Sequence, residues 1–267
     1  METHVRTPQD VFMQPQHLVV PPFQRPYVWE EEEQWSPLWQ DVRRVAELRP
    51  AQPAADIKHF LGAVVVQAQE SILGGLPASS IIDGQQRLTT LQLLMDATAA
   101  ALEAAGHDHL AAQLGQLTHN QEIYVHGLPT RLKLRHSNKD REAFDEVMNA
   151  EAPVDHGDLL HAAARVTRAH LYFSEVVEDW LRPTAEGAAA RAQALTEALT
   201  RGLQIVAINL SAEENPQEIF ETLNARGAPL TAADLRGCPG RRGSSRWRSG
   251  NQLTVASVSA SWMVTVV

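Results

Sequence analysis

Residues 83–90 read Asp-Gly-Gln-Gln-Arg-Leu-Thr-Thr: a carboxylate, a glycine, two amides, a guanidinium and two hydroxyls within one short run. The apolar stretch Ser80-Ile81-Ile82 precedes them and a long helical pattern follows, so the unit reads as strand, tight polar turn, helix. Turns of that kind point unbonded backbone N–H groups outward, and the helix end adds partial positive charge, so anions settle there. Gly84 lets the backbone approach a phosphate closely. Gln85 and Gln86 would cradle phosphates beside it. Arg87 can pair with phosphate oxygens through two parallel bonds and neutralise charge in a transition state. Thr89 or Thr90 can cap the helix or touch a phosphate. Asp83 could organise water or hold Mg²⁺, which commonly binds through one or two carboxylates plus substrate phosphates. The candidate catalytic set is therefore Asp83, Gln86 and Arg87, with Gly84, Gln85 and Thr89 as nucleotide contacts. The competing reading is architectural: a strand–turn–helix connection in which Asp83 and Arg87 merely pair. No GxxxxGK[ST] run occurs, so this is not a P-loop.

Two further motifs carry suitable side chains. In Gln24-Arg25-Pro26-Tyr27-Val28-Trp29 the proline, with Pro21 and Pro22 upstream, holds the backbone extended and can present Arg25 to a phosphate or a carboxylate. Tyr27 and Trp29 face away from Val28 in such a segment. Here the alternative is that both aromatics are core and Arg25 pairs with an acid. In Asn224-Ala225-Arg226-Gly227, with Glu221 one turn earlier, a helix end can aim Asn224 and Arg226 into a neighbouring cleft. An Asn/Gly helix stop explains Gly227 equally well, but not Arg226. The histidines give no metal signature: His107 and His109 flank Asp108, while His119, His126 and His136 are expected in polar loops. There is no HExxH, Cys/His zinc or HNH spacing, so these are expected to be surface or loop residues.

These residues need elements to hold them. Val19 and Val20 can end a short strand. From about Glu31 the apolar positions Trp35, Leu38, Trp39 and Val42 recur at helical spacing, with the acidic run Glu30–Glu33 at the favourable N-terminal end. His59–Gln67 has the β-branched run of a buried strand, and a Gly/Pro-containing loop returns into Ser80–Ile82. Leu88, Leu91, Met95, Thr98 and Leu102 share one face of a helix that stops at Gly106. Residues 107–200 are expected to be mostly helical, with a stripe Val166, His170, Phe173, Val177, Trp180 ended by Pro183 and an Ala-rich helix over 187–200. Leu203–Leu210 returns to strand character. Asn215, Pro216 and Glu218 open a short helix through Leu223, and Thr231 with Asp234 opens another.

The net charge is −9, but five arginines and no acids follow Asp234, so residues 1–235 carry −14. An acidic body excludes a general nucleic-acid binder, and any DNA contact must be local. From Gly237 the composition turns to Arg, Gly, Ser and Trp, with no acid and no helical period. Gly237, Pro239, Gly240 and Gly243 would break the helix that Thr231 begins. That stretch reads as out-of-frame sequence, with a basic nucleic-acid-binding arm as the alternative. Hydrophobic residues make up 44% of the chain, enough for a packed core, and no window approaches 18 uninterrupted apolar residues. With a single cysteine, Cys238, and no secretory signal, a reduced cytoplasmic protein is expected.

Four blocks, PPFQRPYVWEEEEQW, HFLGAVVVQ, IIDGQQRLTTLQLLMDA and IFETLNARGAPLTAADL, spanning about residues 19–235 in this order, resemble the GmrSD-type restriction endonuclease N-terminal domain family. The resemblance implies a ParB/sulfiredoxin-like core in which a strand–Gly-x-x-Arg–helix turn binds nucleotide. Asp83 to Arg87 would match the motif needed for NTP hydrolysis, and Asn224 and Arg226 would complete the nucleotide or Mg²⁺ site. In phosphorothioate-sensing relatives the early region, here Gln24, Arg25, Pro26, Tyr27 and Trp29, is associated with reading the DNA modification. Full-length relatives add an HNH-type nuclease domain and couple nucleotide turnover to recognition of modified DNA. This sequence departs from them after Asp234, where the helix is lost and no nuclease domain follows; cleavage by this chain alone stays open.

The expected fold is α+β: a small mixed ParB/sulfiredoxin-like sheet with the DGQQR turn, then a mainly helical subdomain. Residues 1–106 would form the nucleotide-binding core and 107–235 the helical part with its returning strand and the Asn224–Gly227 motif. Residues 236–267 would be a disordered or frameshifted tail of a domain cut short. The expected function is a Mg²⁺-dependent NTPase switch, GTP or ATP its substrate, tied to modified DNA in restriction or antiphage defence. A modified-DNA binding module using nucleotide only as a ligand, and an inert truncation product, are the alternatives. A nuclease domain or subunit is the expected partner, no membrane is involved, and the oligomeric state stays open.

Overall fold

Apolar and β-branched runs build the middle of the sheet. The computed structural model describes residues 2–52, 56–70, 75–125, 127–128, 130–182 and 187–214. In it the strands are Glu2–Arg6 (β1), His17–Val20 (β2), His59–Ala68 (β3), Ala78–Asp83 (β4), Leu134–His136 (β5) and Leu203–Leu210 (β6). They form one six-stranded sheet in the order β1-β6-β3-β4-β2-β5. β1 runs antiparallel to β6 and β3 antiparallel to β4, while β3–β6, β4–β2 and β2–β5 are parallel. The helices are Pro8–Phe12 (α1), Ser36–Ala51 (α2), Gln85–Ala104 (α3), Asp108–Thr118 (α4), Glu122–Val125 (α5), Arg141–Met148 (α6), Arg165–Leu181 (α7) and Ala188–Glu197 (α8). The fold is α+β, a six-stranded mixed sheet packed with about eight helices.

α3 is the pivot. The face expected from Leu88, Leu91, Met95, Thr98 and Leu102 is wholly buried, and so are Leu93, Leu94, Gln92 and Ala97 on its other sides. A helix buried nearly all round lies inside the molecule rather than on it. One apolar cluster joins it to α2, α4, α6, α7 and α8, from Phe12 to Ile205. The expected boundary at residue 106 falls between α3 and α4, which pack on each other, and strands from both sides of it share the sheet. None of the described helices is long and apolar enough to cross a membrane.

Several elements differ from expectation. β1 and β5 were not foreseen. A five-residue π-helical turn, Glu31–Trp35, precedes α2, and a second, Ala198–Gly202, follows α8. His136 lies on β5 and is buried, and His119 forms an isolated bridge to Leu132 and is half-buried, so neither is a surface loop residue. The tip of the 71–79 loop, His126, the Pro183 stop, the 215–223 helix, the Asn224–Gly227 motif, the Thr231–Asp234 cap and the tail with Cys238 lie outside the described residues.

Topology brings three connections together. β4, β2 and β5 are adjacent and parallel, so their C-terminal ends share one edge of the sheet. From that edge emerge the 83–87 turn, the proline-rich strap of residues 21–29 and the 137–140 loop. Parallel strands place ligand sites at such an edge for this reason.

Candidate functional site

The turn is built around two glycines. Gly84, the residue before α3, has φ +87°, a left-handed conformation that glycine adopts without strain. A Cβ there would lie 2.8 Å from Val64 Cγ2 and 3.1 Å from the Ala63 carbonyl, so glycine is also needed for β3 to pass so close. Gly62, with φ +101°, does the same for Arg87: a Cβ would stand 3.0 Å from its Nε. The Arg87 guanidinium thus lies against bare backbone and donates to the Ala63 carbonyl at 2.6 Å. It is half-buried, and burial lowers its pKa while the Asp83 carboxylate opposes the shift. Among the described residues no carboxylate comes within ion-pair distance of it, so the simple Asp83–Arg87 pairing is not formed. Asp83 is exposed at the end of β4. No side chain caps the N-terminus of α3, whose first N–H groups have no partner within the helix.

Gln85 and Gln86 are placed differently. Both are buried, at 6% and 7% exposure, and both side chains turn to the strap. Gln85 Nε2 donates to the Arg25 carbonyl at 3.0 Å. Gln86 Nε2 donates to the Pro26 carbonyl at 3.1 Å, while its Oε1 accepts from the Val28 N–H at 2.9 Å. One amide therefore satisfies an extended backbone as a neighbouring strand would. Gln86, expected to act in catalysis, is a clamp. Thr89, expected to meet nucleotide, is 1% exposed and bonded at 3.1 Å to His136 Nε2. Burial drives the His136 pKa down to about 4, so the ring is neutral near neutrality. Its Nδ1–H goes to Asn138 Oδ1 at 3.3 Å, which leaves Nε2 to accept from Thr89.

The strap is anchored from within. Gln24 Nε2 donates to the Ile82 carbonyl at 2.9 Å, tying the strap to the last residue before Asp83. The Tyr27 N–H donates to Asp140 at 2.7 Å, and Asn138 Nδ2 reaches the Arg25 carbonyl at 3.4 Å. Burial lifts the Asp140 carboxyl pKa, against the lowering effect of the Tyr27 bond. Tyr27 itself is core, 2% exposed, with its phenol held well above its ordinary pKa by burial. The proton order around it follows from donor counting. Thr90 Oγ1 donates to the Gln86 carbonyl at 2.8 Å, so Tyr27 Oη must donate to Thr90 at 2.6 Å and accept from Trp35 Nε1 at 2.9 Å. Trp29 is half-buried against the same core. Of the five residues expected to read a DNA modification, Tyr27 is thus inside and Gln24 is tied to β4. Arg25 and Pro26 remain exposed.

Sequence reasoning missed three residues at this edge. Asn138 and Asp140 lie in a Ser-Asn-Lys-Asp run that signals only a turn. Phe23, 80% exposed at the tip of the strap, was hidden among prolines. Among the described residues no group of three or more His, Cys, Asp or Glu side chains could hold a metal ion.

A separate groove lies elsewhere. It encloses about 690 Å³ between the C-terminal half of α3, α4 and the 148–154 segment, and its charged residues are Asp96, Glu103, Asp108 and Arg131.

A search of curated proteins finds no match to the chain. A model of the GmrSD restriction endonuclease N-terminal domain matches residues 9–238, which takes in the turn, the strap and every strand but β1. The chain belongs to that family, the N-terminal domain of GmrSD-type restriction endonucleases, a defence system.

Proposed function

We propose that the edge formed by the 83–87 turn and the strap binds and hydrolyses a nucleoside triphosphate, GTP or ATP, with Mg²⁺. We propose further that turnover there serves recognition of modified DNA, phosphorothioated DNA among the candidates, on a ParB/sulfiredoxin-like core. One observation carries this reading: the half-buried Arg87 guanidinium has no carboxylate partner among the described residues and sits in the first turn of α3. A desolvated cation beside uncapped N–H groups favours an anionic ligand. Phosphate oxygens would meet the backbone of Gly84 to Arg87 rather than the glutamine amides, which hold the strap. Mg²⁺ fits a site without a cluster of three protein ligands if it enters with the nucleotide, phosphates and water supplying its other ligands. Asp83 would be the protein ligand, and Arg87 would stabilise charge developing on the transferred phosphoryl group. Asn224 and Arg226 remain candidates to complete the site.

The test is nucleotide turnover by Asp83→Ala and Arg87→Ala. Both should lose hydrolysis of GTP and ATP by at least about a hundredfold. Asp83→Ala should melt with the parent, because its side chain is outside the core. Parental turnover in either variant would remove the turn from the chemistry. Binding of nucleotide without turnover in the parent would favour the non-hydrolytic module.

A further inference from the structure

An exposed aromatic ring stands beside this turn with no described role. Phe23 occupies the third position of a β-turn closed by the Gln24 N–H donating to the Pro21 carbonyl at 3.1 Å. Pro22, at the second position, presets the backbone angle that such a turn requires. On the far side, the Gln24 side chain is bonded to the Ile82 carbonyl, one residue from Asp83. The ring is therefore carried on a support fixed at both ends, yet it is 80% exposed. Large apolar side chains held out to water forgo the stabilisation of burial, about 25 cal/mol for each Å² of apolar surface left uncovered.

Position makes the exposure informative. Ile82 leads directly into Asp83 and Gly84, so the strap residue next to Phe23 is tied two residues before the uncapped start of α3. Arg25, two residues on, is exposed and has no ion-pair partner among the described residues. At one edge of the sheet there are thus N–H donors and a desolvated guanidinium suited to phosphates, with an exposed apolar ring on the strap that is tied to the same strand end. A nucleotide presents those same two chemistries, an anionic chain and a flat π face. Aromatic side chains stack on bases of every kind, because each base has such a face.

We propose that Phe23 is the platform on which the base of the nucleoside triphosphate stacks; this rests on the reading of the turn as the phosphate site. It makes Phe23 a binding residue for the nucleoside half of the ligand. It also predicts tolerance of both guanine and adenine, since stacking alone does not read a hydrogen-bond pattern.

The experiment is calorimetric titration of the full chain, parent and variants, with three probes in Mg²⁺: GTP, ATP and inorganic tripolyphosphate. A short single-stranded oligonucleotide is the fourth. Phe23→Ala should weaken GTP and ATP binding by about tenfold or more and leave tripolyphosphate within about twofold. Phe23→Trp should restore nucleotide binding and Phe23→Leu should not. An unchanged melting temperature in Phe23→Ala, expected from the exposure, excludes an indirect effect of unfolding. Parental affinity for GTP and ATP in Phe23→Ala would overturn the stacking role while leaving the turn intact. Equal losses for tripolyphosphate and nucleotide, or a loss confined to the oligonucleotide, would also overturn it. A parent that binds neither tripolyphosphate nor nucleotide would sink the reading of the turn itself, and the platform with it.

Discussion

The turn at 83–87 and the strap at 21–29 are both short, polar and punctuated by Gly or Pro, and both look ligand-facing in the sequence. The structure divides them. In the turn, Asp83 is exposed, the first N–H groups of α3 have no side-chain cap, and Arg87 lies against bare glycine backbone. In the strap, Gln24 and Tyr27 turn inward, and much of its polar backbone is taken up by Gln85, Gln86, Asn138 and Asp140. The cause is stoichiometric. An extended, proline-rich segment has no helix or ladder of its own to satisfy its N–H and C=O groups, so neighbouring amides must do so. A helix start has unbonded N–H donors and no need of further donors, so the amide N–H groups of Gln85 and Gln86 are free to serve another segment. Polar residues next to a naked backbone therefore tend to be clamps, and those next to an uncapped helix can remain available.

The largest effect that could break this comparison is at Tyr27. If the strap is core, Tyr27→Ala leaves a cavity and should destabilise by about 3–5 kcal/mol in chemical denaturation. Tyr27→Phe keeps the ring but leaves the buried Trp35 N–H without its acceptor, for about 1–3 kcal/mol. A Tyr27→Ala variant as stable as the parent would return the phenol to the surface as a reader of DNA.

Next comes the support beneath the turn. His136 is neutral in the fold with its pKa at about 4, against 6.5 for the free side chain. Below pH 6.5 the unfolded chain therefore binds a proton that the native state does not. The stabilisation is full above 6.5 and is lost progressively towards pH 4, by about 3 kcal/mol from this one group. Denaturation of parent and His136→Asn across pH 4 to 7 should show the parent's steeper decline over that window. Parallel curves would mean that His136 titrates normally and that Thr89 is not held by it.

The elements that position the site were legible where burial imposes a period. Leu203–Leu210 emerges with its expected bounds, and the stripe Trp35, Leu38, Trp39, Val42 is buried as its spacing implies. α3 begins at Gln85 rather than Leu88, because a left-handed glycine starts a helix without a capping side chain to mark it. β1, five residues long and largely exposed, joins the sheet through backbone pairing with β6, which leaves almost no apolar signature. β5 has three residues and shows an apolar position only at Leu134. At the site, residue types announced the turn, but sequence could not say which amides face a ligand and which face the strap. That choice depends on β2, β4 and β5 ending side by side at Val20, Asp83 and His136, far apart in the chain.

The smallest effect on stability is expected at Arg25, and it separates ligand-facing from architectural residues within the strap itself. Its carbonyl accepts from Gln85 and Asn138, yet its side chain makes no hydrogen bond or ion pair among the described residues. Arg25→Ala keeps the carbonyl, so both anchoring bonds survive and stability should change by less than about 0.5 kcal/mol. The guanidinium is an exposed cation on an acidic body, and a single phosphate contact there would matter more than on a basic protein. Affinity for modified DNA should fall more than affinity for nucleotide. The slope of log affinity against log salt should also decrease by about one, the signature of one lost phosphate contact. An unchanged slope with unchanged DNA affinity would leave Arg25 without a ligand, and an equal loss of nucleotide affinity would move it into the pocket of Arg87. A loss of stability well above 0.5 kcal/mol would show that even the outward side of the strap is architecture, and the contrast with the turn would then be complete.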